Sequence, residues 1–334
     1  VYFVFYLMLI YCVLIFFLLF CFAKVSYILN LVDTPDYRKK HPKPTAYIGG
    51  LAISLSYICS LQLFETYIYT LNIIVSISLL IAVVGFIDDK YNLNIGGKLS
   101  LQVIPIIYLI IIENLNLTHI GDYNYFKLEL NSFSIPFTLL CVMFLINSFN
   151  YFDGLDGVLS FTSISVLGIL YFLITDENIK LFLIIILLPI CFFLLFNFSI
   201  FNLPKLFLGD NGSLLLGFLI AFILIYFANQ RIVHPILLVW SISIFVYEFI
   251  SINLIRLKNK KNPFKAGQDH LHHILLKKTK SIFLTNFIIV TINIILFISG
   301  YISFEFFNPL ISLIQFIFLF IIFFITRSTY LIKK

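Results

Sequence analysis

The chain is 334 residues long, 61% hydrophobic and only 11% charged, where soluble domains run at about a quarter charged. A water-soluble fold could not hide its 40 phenylalanines along with the isoleucine and leucine, so soluble, disordered and collagen-like classes are excluded and a polytopic membrane protein remains. Charge left in lipid is expensive, so the positions of the 22 basic and 16 acidic residues carry information about function.

A helix needs about 20 largely apolar residues to cross the hydrocarbon core. Stretches of that order lie near 1–23, 46–64, 70–87, 98–112, 134–152, 158–175, 179–199, 213–228, 235–255, 282–303 and 309–326. The expected fold is therefore all-α, with about eleven transmembrane helices in one integral membrane domain. Residues 1–23 lack a basic leading segment and a small-residue cleavage site, and read as a retained span and not a signal peptide. Cys12, Cys21, Cys59, Cys141 and Cys191 fall in apolar runs without a CxxC pair and read as small buried hydrophobes.

Lys and Arg set the sidedness. With the N-terminus outside and the C-terminus cytoplasmic, all the basic residues except Lys127, Lys180 and Arg231 fall on the cytoplasmic side. The cytoplasmic loops then lie near 24–45, 88–98, 147–157, 200–212 and 256–281. Every polar cluster with chemical promise falls in one of them. Two spans separate each cluster from the next, so the clusters can converge on one face.

Asp33 to His41, followed by Lys43, Pro44, Gly49 and Gly50, is a juxtamembrane basic stretch whose Arg38 and Lys43 add cationic donors. Asp88 and Asp89 end a span; two adjacent carboxylates repel and favour a divalent cation such as Mg²⁺, or are a solvated helix end. Asn147, Asn150 and Asp153 are spaced i, i+3, i+6, which stacks them on one helix face. Gly154 and Gly157 allow the tight backbone that returns Asp156 to the same place. A calcium loop competes with that reading but lacks the later bidentate Glu. Gly209-Asp210-Asn211-Gly212-Ser213 opens the eighth span, where a carboxylate and free N–H groups can hold a metal and phosphate oxygens, or where Asp210 or Ser213 caps the helix.

His270, His272 and His273 follow a dense run of Arg256, Lys258, Lys260, Lys261 and Lys265. Three histidines suggest zinc, but the lysines favour phosphate, and a patch for anionic lipid is the plainer alternative. Gly97-Lys98 is not a Walker loop, because the upstream Gly is Asn92 and Leu99 replaces Ser or Thr. Glu248 is the main acid inside a span.

These motifs resemble, in order, those of the membrane-embedded polyprenyl-phosphate N-acetylhexosamine-1-phosphate transferases (glycosyltransferase family 4). The matching residues are Asp33 to His41, the Asp88-Asp89 pair, Asn147 to Gly157, Phe207 to Ser213 and the HLHH sequence at 270–273. The pattern is closest to the bacterial undecaprenyl-phosphate N-acetylglucosaminyl-1-phosphate transferases, and departs from many relatives at Asn92 and at Glu248-Phe249. The resemblance implies a single catalytic domain over 1–334 in the inner cell membrane, with its active site facing the cytoplasm. It implies transfer of a sugar 1-phosphate from a UDP-sugar to polyprenyl phosphate with release of UMP, at the start of a cell-envelope glycan.

It also implies Mg²⁺, with Mn²⁺ as a substitute, held by Asp210 with Asn150 or the Asp88-Asp89 pair. Asp88 becomes a candidate to deprotonate or orient the lipid phosphate. Asn150, Asp153 and Asp156 would face the nucleotide, joined by Asn147 and Asn197, while Phe207 would stack on uracil and the three histidines would bind diphosphate. Partners are then the lipid and the UDP-sugar, with no nucleic acid, and a homodimer is compatible. The competing readings are a transporter or an anionic-lipid binder without catalysis. A CDP-alcohol phosphotransferase fits poorly, because its motif needs Ala-Arg shortly after the first Asp-Gly, and here Asp153-Gly154 is followed by Leu-Asp-Gly-Val-Leu-Ser.

Overall fold

The computed structural model describes residues 2–34, 44–64, 68–262, 267 and 269–332. All of the expected apolar segments are helical, so the protein is an all-α polytopic membrane protein. In chain order the helices are α1 (Tyr2–Ile28), α2 (Gly49–Leu63), α3 (Tyr69–Tyr91), α4 (Ile95–Ile107), α5 (Ser134–Phe152), α6 (Val158–Leu173) and α7 (Glu177–Asn197). There follow α8 (Gly209–Asn229), α9 (Pro235–Ser241), α10 (Ser243–Lys258), α11 (Leu271–Thr279), α12 (Ile282–Phe306) and α13 (Pro309–Ile332). Among the described residues, 8 helices are long and apolar enough to cross a membrane, or 9 if the bent α9–α10 pair is one span. The other two expected spans are α2 and α6, apolar helices of 15 and 16 residues. At about 1.5 Å per residue they are shorter than the hydrocarbon core.

The chain divides into two compact units, Val1–Glu113 with Thr175–Ile223, and Asn114–Ile174 with Leu224–Lys334. In the first, α2 packs against α1, α3 and α7. A short antiparallel pair, β1 (Val32–Asp33) with β2 (Thr45–Ala46), precedes α2. Ala46 also bridges in parallel to Leu206, and the N–H groups of Gly49 and Gly50 donate to the carbonyls of Phe207 and Leu208. These contacts bring the start of α2 against the start of α8 at glycines. A Cβ on Gly50 would lie 2.1 Å from the Gly212 nitrogen, and one on Gly85 of α3 would lie 2.4 Å from the Asn211 Cα.

In the second unit α12 packs against α6, α9, α10, α11 and α13, and β3 (His119–Asp122) pairs with β4 (Lys127–Glu129). α9 and α10 meet at a 73° bend without Pro or Gly at the break. Lipid offers no hydrogen bonds to a broken helix. The fully buried Asn293 of α12 supplies them instead. Its Oδ1 accepts from the Ile244 N–H and the Ser243 hydroxyl, both at 3.4 Å, and its amide donates to the Ser241 carbonyl at 3.1 Å.

Two glycines distinguish close packing from open space. Gly50→Val forces the α2 and α8 backbones apart and is expected to cost about 3 kcal/mol or more, as overpacking does. Gly168→Ala meets nothing within 4 Å and is expected to be neutral or stabilising by up to about 1 kcal/mol from helix propensity. Thermal unfolding of the detergent-purified protein checks both; a Gly50→Val protein as stable as wild type contradicts the close approach.

Candidate active site

In the first unit the two adjacent aspartates of α3 part company. Asp89 turns to the start of α8, where its carboxylate accepts from the Asp210 N–H at 3.0 Å, the Asn211 N–H at 3.1 Å and the Asn211 side-chain amide at 2.7 Å. A cap for α8 therefore comes from α3, while Asp210 and Ser213 lie within the helix. A carboxylate there satisfies orphan donors and complements the positive end of the helix. Asn211 ties in the chain before and within α2, donating to the Tyr47 carbonyl at 2.7 Å and accepting from the Leu51 N–H at 2.9 Å. Gly209 takes φ +72°, and a Cβ there would lie 2.2 Å from the Tyr47 oxygen.

Asp88 faces Lys98 of α4, 2.7 Å from its ammonium, and also accepts from the Leu93 N–H at 3.0 Å. The same ammonium pairs with Asp210. Lys98 thus bridges two carboxylates that come from different helices and are separated by more than a hundred residues. Asn94 starts α4 by accepting from the Gly97 N–H at 2.7 Å, which sets the turn that carries Lys98.

The Asp88–Asp210 pair is a seat for positive charge made of hard oxygen donors. Among the described residues no group of three or more His, Cys, Asp or Glu side chains is arranged to hold a metal. Mg²⁺ fits such a sparse set, because it keeps several waters and takes one or two protein carboxylates beside substrate phosphates.

Two other expected residues of this unit flank the segment leading to α8. Asn197 is buried at the end of α7 and its amide donates to the Leu206 carbonyl at 3.0 Å, so it holds that segment in place. The Lys205 ammonium lies 5.3 Å from the centre of the Phe207 ring. Arg38 and Lys43 lie outside the described residues.

The second unit carries the remaining cluster. Asn147 and Asn150 lie in the last turns of α5, and the Asn147 amide donates back to the Met143 carbonyl at 2.7 Å. The helix stops at Phe152, so Asp153 is its cap and leaves the helical face that the i, i+3, i+6 spacing suggested. Gly157 takes φ +76°, and Asn286 of α12 donates to the Asp156 carbonyl at 2.8 Å, which closes the turn.

His272 aims at that turn, since a Cβ on Gly154 would lie 2.2 Å from its Nε2. Its ring stacks parallel to His270 at 5.6 Å and lies 4.3 Å from His273. Both ring nitrogens of His272 are buried without a hydrogen-bond partner. Burial, reinforced by the neighbouring histidines, pushes the His272 pKa well below its ordinary value and that of His273 down to about 4. Burial thus favours the neutral form of both rings, in which one nitrogen can donate a hydrogen bond to a ligand and the other accept one. Next to them, burial opposes ionisation of Asp269, but the Arg256 guanidinium outweighs it and holds that carboxyl below the usual range. The pair is bidentate, at 2.9 and 2.7 Å, and Arg256 also lies over the Tyr151 ring.

Sequence reasoning did not single out Lys98, Asn211 or Arg327 as site-forming residues. Lys98 stood in the sequence as a failed Walker loop, and Asn211 lay unremarked inside a motif that was read for its aspartate.

A cation-binding carboxylate pair and a histidine cluster beside an Asn/Asp turn, on an all-α membrane scaffold, define a class that handles anionic substrates at a bilayer. Comparison with known proteins narrows it. Residues 71–228 match the model for glycosyl transferase family 4, the stretch that carries Asp88, Asp89, Lys98, Asn147 to Asp156, and Asp210. The chain is 27% identical over 266 residues to the undecaprenyl-phosphate alpha-N-acetylglucosaminyl 1-phosphate transferase of Yersinia pestis, covering 78% of this chain and 73% of that protein. It is 25% identical over 266 residues to the protein of that name in Escherichia coli (strain K12), covering 78% and 72%. For the Haemophilus influenzae protein the figures are 27% over 262 residues, 75% and 72%. The resemblance carried by the motifs is borne out.

The lowered His273 pKa has a sign that can be tested. The unfolded chain takes up the proton near pH 6.5 and the folded chain only near 4, so the unfolded state binds more protons between those values and stability falls as pH drops through that window. The melting temperature of wild type is expected to decline from pH 6.5 to 4 more steeply than that of His273→Gln, at constant ionic strength. Equal slopes contradict the assignment.

Proposed function

We propose that the protein transfers a sugar 1-phosphate, an N-acetylhexosamine 1-phosphate, from a UDP-sugar to undecaprenyl phosphate in the inner membrane and releases UMP on the cytoplasmic side, initiating a cell-envelope glycan. The observation that carries this reading is the Asp88–Lys98–Asp210 arrangement. It joins two carboxylates from different helices through one ammonium, a set that supports a role in neutralising substrate phosphates. The named activity of the similar proteins supports the same reaction.

In the proposed step an oxygen of the lipid phosphate attacks the sugar-proximal phosphorus, the bond to the UMP oxygen breaks, and the leaving electron pair departs with UMP. One diphosphate linkage is exchanged for another, so no ATP is consumed. Asp210 and Asp88 would hold Mg²⁺, with Mn²⁺ as a substitute, and the ion supplies charge neutralisation for the two anionic substrates. Asp89 fixes the first turn of α8 and thereby the aim of Asp210. Lys98 would shift from carboxylate to phosphate oxygen, and Asp88 would orient the attacking phosphate. Asn147, Asn150, Asp153 and Asp156 offer the amide and carboxylate edges that a nucleotide sugar requires. The neutral histidines add hydrogen bonds to its diphosphate. The reaction gains mainly from positioning and electrostatics, as phosphoryl transfer does.

Membranes containing the protein, incubated with undecaprenyl phosphate and a panel of UDP-sugars, are expected to release UMP in a Mg²⁺-dependent way with a UDP-N-acetylhexosamine. Asp210→Asn is expected to lower that release by about a hundredfold or more, on the scale of lost charge stabilisation. Silence across the panel contradicts the function, and wild-type turnover in the variant contradicts the role of Asp210.

A further inference from the structure

The second unit buries an ion pair that the proposed chemistry does not use. Glu248 of α10 is 1% exposed and Arg327 of α13 is 5% exposed. The Arg327 Nη2 donates to the Glu248 Oε1 at 2.7 Å and to the Asp269 carbonyl at 2.5 Å. The same Glu248 oxygen accepts from the Leu271 N–H at 2.9 Å, at the start of the helix that carries His272 and His273. Its other oxygen, Oε2, and the Arg327 Nε are buried without partners.

A pair so incompletely satisfied is a poor device for stability. Desolvating two charges costs several kcal/mol per ion, about as much as their attraction returns, and an apolar pair of similar volume is often as stable or more so. What the pair does accomplish is geometric. Three side chains grip two residues, Asp269 and Leu271, of the segment that enters the histidine cluster. Arg256 holds the Asp269 side chain, Arg327 holds the Asp269 carbonyl, and Glu248 holds the Leu271 N–H. His270 lies between the last two, with its Nδ1 3.7 Å from Glu248.

We infer that Glu248 and Arg327 are positioning residues for the His270–His273 cluster, so that the last helix, α13, sets the geometry with which the protein binds the diphosphate of its sugar nucleotide. The inference rests on the proposed function for its substrate, but the placement of the histidines can be read without turnover. It also assigns a role to a helix that lies well beyond residues 71–228, the stretch matched by the family model.

The test uses the full-length protein in detergent and the double variant Glu248→Gln/Arg327→Met. That variant leaves no buried charge uncompensated and keeps an acceptor for the Leu271 N–H, but releases the Asp269 carbonyl. Carbethoxylation of individual histidines by diethylpyrocarbonate is followed by mass spectrometry, with His119 as the internal reference. The melting temperature is expected to stay near that of wild type, while His272 reacts about fivefold faster or more, since its protection depends on local opening. With UDP-N-acetylglucosamine and undecaprenyl phosphate, KM for the sugar nucleotide is expected to rise about tenfold while kcat and the lipid KM change little.

Wild-type His272 reactivity in the variant overturns the inference, as does a uniform loss of activity that follows a loss of melting temperature. Where the double variant does not fold, Arg327→Lys keeps the charges balanced with a single ammonium in place of the planar fork. Faster His272 modification is expected there too, and an unchanged rate overturns the inference equally. If wild type itself releases no UMP, the proposed function fails while His272 reactivity still decides this point.

Discussion

The first unit depends on one carboxylate. Asp89 takes three N–H groups at the start of α8, and those donors are the main reason that α8 begins where it does and with its first turn held rigid. Asn211, gripped by Asp89, then fixes Tyr47 and Leu51, so the entry to α2 is tied to the same point. The glycines at 50, 85 and 209 are what this closeness requires, since backbone meets backbone there with no room for a Cβ, and a Cβ on Gly212 would meet the Leu208 side chain. Once the turn is fixed, Asp210 faces Lys98, and Lys98 faces Asp88. The adjacent aspartates, so similar in sequence, have opposite tasks: Asp89 builds the site and Asp88 lines it.

Much of this was legible in the sequence, and the part that was not has a common cause. Apolar runs report helices directly, and every expected run is helical, although α2 and α6 are shorter than the hydrocarbon core. The motif residues Asp88, Asp89, Asp210 and His270 to His273 were recognisable by type and order. Partners were not, because a contact such as Lys98 with Asp210 leaves no local periodicity behind. Local spacing also misled at one point. Asn147, Asn150 and Asp153 have helical spacing, yet α5 ends at Phe152 because the Asp-Gly-Leu-Asp-Gly turn follows at once. The bend between α9 and α10 was equally hidden, since no Pro or Gly marks it and the residue that permits it, Asn293, lies in another helix.

The second unit shows two uses of polar groups inside an apolar scaffold. Asn293 is a replacement for water, returning hydrogen bonds to a backbone that the bend has left unpaired. Glu248 and Arg327 also meet backbone groups, the Leu271 N–H and the Asp269 carbonyl, but carry unsatisfied atoms of their own. Polar groups buried at a cost are easier to understand as devices for geometry than for stability. The Glu248–Arg327 pair reaches the segment that enters the histidine cluster. The scarcity of charge in this chain therefore makes each buried charge informative: under the proposed function Asp88 lines the seat for phosphate chemistry, and Glu248 and Arg327 aim the histidines.

The account's central claim is the bond that breaks. UDP-N-acetylglucosamine labelled with ³²P at the sugar-proximal phosphate, incubated with the protein, Mg²⁺ and undecaprenyl phosphate, separates the alternatives in one extraction. Phosphoryl transfer sends the label into the lipid phase with the sugar and leaves unlabelled UMP in water. Label that remains in water as UDP while sugar enters the lipid means that the sugar–oxygen bond broke instead, and that result contradicts the account.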